Sequence, residues 1–476
     1  MNIKNLKKDF LWYSIGAAIP MILNFIKTPI FTRYYTPADF GNLIIINTTY
    51  SYINLFVFSW LLSCIWRYYI REKNNKELNK FYTNTVLLFF IGLILITIIT
   101  MVWFFLTHEP IIKKLIIANF INLINTTITS LYLITIRLDG KSLIYNFYTI
   151  IVSILSFLLL FILTFVFKNS IESMLNCSNI VNGIFIIYII YKINKNYRFK
   201  KDFVSKDLIK EFVKYGFATV FFNMSSLLLT SGDRYVIQYF YSTDNVGIYN
   251  QIYNLSKISI VAIYNIFFNI INPYLFKTFE EDMKNEDEFY KYILLYILCI
   301  LPLTVYFSIY SKQIADILLG EKFRIGYRMM PYVMISSFIC GLSVMHEARM
   351  KFKNKLKNIS INLISASLIN LILNLLIIPT LGYEWAARTT LVAYIILYLM
   401  DLYSDFSIKR EDYYIFEDKI KLLISVVIIL SLQLFLHYLL SYNVKYCNTI
   451  PYSIIEGFIF ITIYVAFVYR KLKDNR

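Results

Sequence analysis

Residues 33–43 read RYYTPADFGNL, and residues 238–250 read QYFYSTDNVGIYN. Gly41 of the first aligns with Gly247 of the second, 206 positions on, which sets Tyr34 on Phe240, Tyr35 on Tyr241 and Thr36 on Ser242. Each stretch is a short polar break between two apolar runs. A long apolar chain that repeats its first hairpin halfway along reads as two fused copies of one bundle, an organisation commoner among transporters than among membrane enzymes.

The surrounding composition agrees. Of 476 residues, 58% are hydrophobic and only 16% charged, more apolar surface than soluble domain cores of this size can hide. The apolar residues fall in blocks of about 20 or more, the length that crosses a bilayer. Fourteen helices are expected, over 10–32, 42–66, 81–106, 112–136, 142–167, 174–191, 209–231, 246–276, 290–310, 328–348, 357–379, 385–403, 418–441 and 450–469. The fold class expected is an all-α polytopic membrane protein.

Lysines and arginines in the connecting loops are about threefold more numerous on one side, which predicts a multi-pass inner-membrane chain with both termini in the cytoplasm. The same bias, with attraction to anionic membrane lipids, accounts for the net charge of +17. Nucleic acid is not implied. The five cysteines show no pair with metal-ligand spacing and no disulfide framework.

Advancing the first six helices by 206 positions lands most of them within about ten residues of the next six. An even number of crossings per copy gives both copies the same direction, related by a pseudo-two-fold axis along the membrane normal with a cavity between them. The expected domains are an N-terminal six-helix lobe at 1–191, a basic cytoplasmic linker at 192–208, a C-terminal six-helix lobe at 209–403, and two appended helices at 404–476.

Catalytic machinery is not in evidence. Gly140–Ser142 reads GKS like the end of a phosphate-binding loop, yet Thr135 stands where its first glycine is needed. His108, His346 and His437 are scattered, and no Ser-His-Asp arrangement is supported. The chain is expected to be no enzyme, to hold no metal and to need no cofactor. Ion gradients or lipid turnover would supply its energy.

Charges within the apolar spans are the positive signal, because an ionised group at bilayer depth needs water or a partner. Lys257 lies about 11 residues into its helix, roughly 16 Å along the axis. Tyr249, Asn250, Tyr253, Asn254 and Lys257 recur at spacings of three and four and so share a face, either lining a cavity or fixing packing. Lys27 either snorkels to headgroups or faces its repeat-equivalent, Asp233 with Arg234 beside it, in an ion pair that gates the outer end. The 42–66 helix carries Asn47, Thr48, Thr49, Tyr50 and Asn54, with Arg67 at its inner end; the 112–136 helix carries Asn119, Asn122 and Asn125. Those amides serve either interhelical hydrogen bonding or a sugar-binding wall. Glu347, Arg349, Asp401 and Glu456 are weaker candidate site residues, of which Glu347 is the proton-coupling candidate.

Three passages resemble the polysaccharide flippases of the multidrug/oligosaccharidyl-lipid/polysaccharide exporter superfamily, in particular the O-antigen flippases called Wzx. They are KTPIFTRYYTPADFG from Lys27, SGDRYVIQYFYSTDNVGIYN from Ser231, and LINLILNLLIIPTLGYEWAARTT from Leu368; LLGEKF from Leu318 adds a common outer-loop pattern. Trp385 and Arg388 depart from the family, which has small residues there. The likeness spans nearly the whole chain.

The resemblance implies a carrier that moves an undecaprenyl-diphosphate-linked oligosaccharide, an O-antigen or capsule unit, from the cytoplasmic to the outer leaflet by alternating access. It implies proton or sodium coupling, and a polysaccharide polymerase and glycosyltransferases as partners. Lys257, Lys27, Arg67 and Arg234 would hold the diphosphate. Tyr249, Tyr253, Asn254, Tyr50 and Asn54 would line the cavity. Asp233 and Glu347 would serve gating and ion coupling. A peptidoglycan-precursor flippase and a multidrug/cation antiporter remain the alternatives.

Overall fold

The computed structural model describes residues 3–281, 286–405, 431, 451, 455–462 and 464. Chain order gives α1 (Ile3–Phe31), α2 (Pro37–Asn74), α3 (Leu78–Leu106), α4 (Pro110–Leu138), α5 (Ser142–Val166), α6 (Ser173–Asn196), α7 (Lys206–Ser231), α8 (Asp233–Phe240), α9 (Thr243–Glu281), α10 (Glu286–Ile309), α11 (Ser311–Leu318), α12 (Met330–Phe352), α13 (Leu356–Leu381) and α14 (Trp385–Asp405). Among the described residues there is no strand, and eleven helices are long and apolar enough to cross a membrane. The span expected at 10–32 overlaps α1, and each of the other eleven expected up to residue 403 overlaps one of these eleven helices. Apart from residue 431, the expected helix at 418–441 lies outside the described residues, as does Cys447, and the one at 450–469 is described only in part.

The repeated stretch is a helix-start device. Thr36 Oγ1 accepts the Asp39 N–H at 3.2 Å while the Asp39 carboxylate accepts the Thr36 N–H at 2.9 Å, and Pro37 opens α2. This reciprocal box satisfies donors that the first helical turn leaves without partners. In the second copy Ser242 Oγ accepts the Asn245 N–H at 3.4 Å, at the same place ahead of α9. The aligned tyrosines also act alike. Tyr35 shares a hydrogen bond with the Thr164 hydroxyl at 3.1 Å and donates to the Asn169 carbonyl at 3.2 Å, and Tyr241 donates to the Ile378 carbonyl at 2.8 Å. Position 169 advanced by 206 falls within one turn of Ile378, so each copy ties its own hairpin to the end of its own fifth helix.

The chain divides into two compact units, Met1–Phe31 with Tyr35–Tyr235, and Thr32–Tyr34 with Val236–Arg476. In the first unit α1 lies against α5, and α4 against α6. Helix α7, which the repeat aligns with α1 of the other copy, packs in the first unit against the second half of α2. The cause is local: Gly216 has no side chain where the Trp60 ring lies, Cys64 Sγ reaches the Phe212 carbonyl at 3.2 Å, and the Tyr68 ring stacks on Phe212 at 5.2 Å. Repeat boundary and packing boundary are therefore different divisions of the chain.

In the second unit α12 is central, packed on α14, α9 and α10, while α13 lies on α14. Small residues permit the closest approach: Ala386 and Ala387 are fully buried, and Arg388 stacks outward on the Trp385 ring at 4.0 Å. The paired asparagines of the sequence form a ladder there, with Asn374 donating to Asn370 at 2.7 Å and Thr389 donating to Asn374. Gly382 ends α13 at φ +105°, which a side chain would strain. A Cβ on Gly320 would meet the Thr32 carbonyl, whose residue also accepts the Gly320 N–H through its hydroxyl at 2.9 Å.

Candidate functional site

The second unit brings charged groups together from three helices. On α9, Lys257 is half-buried with its ammonium 5.7 Å from the centre of the Tyr253 ring, which itself lies 5.8 Å from that of Tyr249. Lys257, Glu347 of α12 and Asp401 of α14 all lie within electrostatic reach of the Cys340 thiol. The polar face of α9 is split: Tyr249, Asn250 and Tyr253 are buried within the unit, and Asn254 is exposed. Only part of that stripe is thus available to a ligand; the two tyrosines serve packing.

Acids and bases at the ends of α12 and α14 form a tight cluster. Asp405 accepts from Arg349 Nε at 2.8 and 2.9 Å and from Lys353 Nζ at 3.2 Å, and His346 Nδ1 lies 2.8 Å from its second oxygen. The Arg349 guanidinium rests 4.3 Å from the Phe289 ring centre. Asp401, one turn earlier on the same face, is also fully buried but has no cation on it among the described residues; it accepts from Asn362 Nδ2 at 2.9 Å, and Ser343 and Glu347 face it from α12. Of two carboxylates in one apolar setting, Asp405 is neutralised by bases and Asp401 is held by an amide. Glu347 pairs with Lys351 at 3.1 Å one turn away.

Sequence reading missed the Asp405 cluster because it ended the last helix of this lobe at 403, leaving Asp405 in a loop. The available signal was spacing: His346 and Arg349 share a face, as do Asp401 and Asp405.

The first unit holds the other expected residues. Asp233 and Arg234 are both buried and pair with each other at 2.8 Å, and Arg234 also donates to the Thr230 carbonyl. Lys27 is half-buried near Cys177 and forms no ion pair among the described residues, so the expected pair between Lys27 and Asp233 is replaced here by the neighbouring Arg234. Arg67 is exposed and stacks over Tyr215 at 4.3 Å. Tyr50 is taken up by packing: its hydroxyl meets Thr100 and the Ile116 carbonyl, both at 3.1 Å, and its ring stacks on Trp103. A ligand cannot reach it in this arrangement. Asn54 differs. Its Oδ1, with Asn47 Oδ1 and the Tyr52 hydroxyl, is buried without a hydrogen-bond partner among the described residues. On α4, Asn122 and Asn125 bond across to Ser178 and Asn179 of α6 at 3.0–3.1 Å, which settles that face as an interhelical lock.

At the end of α4, Asp139 accepts from Lys73 at 2.5 Å, Lys141 at 3.3 Å and the Tyr69 hydroxyl at 3.1 Å. Burial alone would raise this carboxyl; the two ammoniums and the hydroxyl outweigh it and hold it below the usual carboxylate range.

A family model described as "Polysaccharide biosynthesis protein" matches residues 6–279, more than half of the chain. No curated protein sequence matches. Among solved structures, the lipid II flippase MurJ in an inward closed conformation superposes with a TM-score of 0.72 at 17% identity, covering 97% of this chain and 99% of that one. An inward-facing multidrug resistance MATE transporter of the MOP superfamily gives 0.62 at 14% identity, covering 82% and 97%. A MATE transporter in a straight conformation gives 0.53 at 14% identity, covering 84% and 96%. The fold is that of the multidrug/oligosaccharidyl-lipid/polysaccharide exporter superfamily, a multi-pass membrane transporter fold, and the chain belongs to the polysaccharide biosynthesis protein family.

Proposed function

We propose that this protein is a flippase for an undecaprenyl-diphosphate-linked oligosaccharide, an O-antigen or capsule repeat unit. It would carry its cargo from the cytoplasmic to the outer leaflet of the bacterial inner membrane by alternating access. The observation that carries the reading is Lys257, a cation partway down a spanning helix, in a chain whose family is named for polysaccharide biosynthesis. A diphosphate is the natural partner of such a cation, and the lipid tail stays in the bilayer. In the first unit, Arg67 and Lys27 are further candidate cations, and Asn47, Tyr52 and Asn54 offer polar groups to a sugar.

Coupling to a proton or sodium gradient is assigned to the acids around Lys257. Lys257, Asp401 and Glu347 all lie within electrostatic reach of Cys340, so protonation of Asp401 would leave Lys257 more strongly drawn to an anionic cargo. Asp233, paired with Arg234, is the gating candidate in the first unit. No resident cofactor is needed, both termini lie in the cytoplasm, and polymerase and glycosyltransferases are the expected partners. The runner-up is a peptidoglycan-precursor flippase, supported by the likeness to MurJ; a multidrug/cation antiporter fits less well, because a cationic cargo would be repelled by Lys257.

Proteoliposomes test the reading. Movement of a fluorescent undecaprenyl-diphosphate oligosaccharide, without efflux of a lipophilic cation, supports it; cation efflux without lipid movement overturns it.

A further inference from the structure

The linker that joins the two sequence copies is strapped down. Asn84 of α3, itself buried, donates to the Phe203 carbonyl at 2.9 Å and accepts the Ser205 N–H at 3.0 Å. Asn79, also on α3, accepts the Arg198 N–H at 3.0 Å, and the Tyr197 ring lies 4.1 Å from that of Tyr82. Residues 197–205 therefore form a fixed roof, and beneath it is a cavity of about 800 Å³ between α3, α4 and α6. Its walls are mainly apolar, with Phe89, Leu93, Ile124, Ile128, Leu131 and Ile189 among them. At the roof it is lined by Lys200 and Lys201, which are exposed and whose side chains make no hydrogen bond or ion pair among the described residues. At the side, Phe90 and Ile190 line it and are exposed, so it opens where lipid lies.

A space this apolar offers water few partners, and an empty one forfeits the dispersion contacts of its walls. Its occupant is a hydrocarbon chain, and the two lysines at one end call for an anionic group on that chain. We propose that this cavity is a binding site for an anionic phospholipid, with an acyl chain between α3, α4 and α6 and the phosphate on Lys200 and Lys201. The site lies wholly within the first unit and is roofed by the fixed linker, which suits a resident lipid and not a cargo that must cross the membrane. The bound lipid pins the linker between the two sequence copies. Nothing in this depends on the identity of the transported molecule.

The test is native mass spectrometry of the full chain, released from nanodiscs, against phosphatidylglycerol, phosphatidylethanolamine and undecaprenyl phosphate. Phosphatidylglycerol is expected to be retained over phosphatidylethanolamine. The K200Q/K201Q double variant should weaken its binding about thirtyfold, the order expected for two lysines facing an anionic headgroup, and K200R/K201R should restore it. Leu131→Trp, which fills the cavity, should abolish retention with circular dichroism unchanged. If Leu131→Trp does not fold, the exposed lysine variants decide alone. Phosphatidylglycerol binding unchanged in K200Q/K201Q, equal binding of phosphatidylethanolamine, or one-for-one displacement by undecaprenyl phosphate overturns the proposal. The flipping assay is read separately, so failure here leaves the cargo assignment standing, and the reverse.

Discussion

Arg349 Nε lies 2.9 and 2.8 Å from the two carboxylate oxygens of Asp405, with both side chains almost completely buried. A buried pair of this kind is weak evidence for net stability, but breaking it leaves a charge in an apolar setting. Arg349→Ala is expected to cost about 3–5 kcal/mol, toward the lower figure because Lys353 and His346 remain on Asp405. Replacing both residues with leucine should recover most of that loss. Thermal unfolding of the detergent-solubilised protein checks this; equal losses in the single and double variants would show the pair to be worth its full apparent cost.

The helix-start device of each copy carries its own prediction. Thr36→Ala removes the cap of α2 and should cost about 1 kcal/mol, with Ser242→Ala doing the same at α9. Because the two caps are in separate units, the double variant should show the sum of the losses. A melting series over the three variants measures it.

Asp139 makes stability depend on pH. Its carboxyl is held below its unfolded value by Lys73, Lys141 and Tyr69 against the opposing effect of burial, so its contribution is present above the unfolded pKa, about 4, and is lost as pH falls through the lower folded value. Asp139→Asn should therefore lower the melting temperature at pH 7 and flatten its fall below pH 4 relative to the parent protein. Parallel melting curves from pH 7 to pH 3 would show the opposite if the carboxyl were raised.

Asp401 tests the coupling assignment. Among the described residues it is buried with an amide donor and no cation, so Asp401→Asn keeps the Asn362 contact largely isosteric while removing the proposed proton site. Lipid movement in proteoliposomes should become insensitive to an imposed pH gradient, with folding retained. A preserved gradient response would remove Asp401 from the coupling path.

Helix positions were legible because apolar runs of spanning length leave few alternatives, and the repeat was legible because Thr36 and Ser242 cap equivalent helices by the same chemistry. What was not legible depended on partners far away in sequence. Tyr50 looks like a cavity residue from its position and turns out to be closed in by Thr100 and Trp103. Asp233 was matched with Lys27 by the repeat offset, yet the guanidinium beside it is nearer. Asp405 was lost to a helix end drawn two residues short. The linker shows the same limit: its basic character is plain in sequence, whereas its attachment through Asn79 and Asn84 is a tertiary fact.

The most direct measurement of the central claim is the rate of transbilayer movement of a fluorescent undecaprenyl-diphosphate oligosaccharide in proteoliposomes holding the parent protein, Lys257→Ala or Lys257→Arg. If Lys257 holds the diphosphate, Lys257→Ala should slow movement at least about tenfold, the loss of one charge-assisted hydrogen bond to phosphate, and Lys257→Arg should recover most of it. Movement unchanged in Lys257→Ala, in a protein that is folded and inserted, would contradict the account.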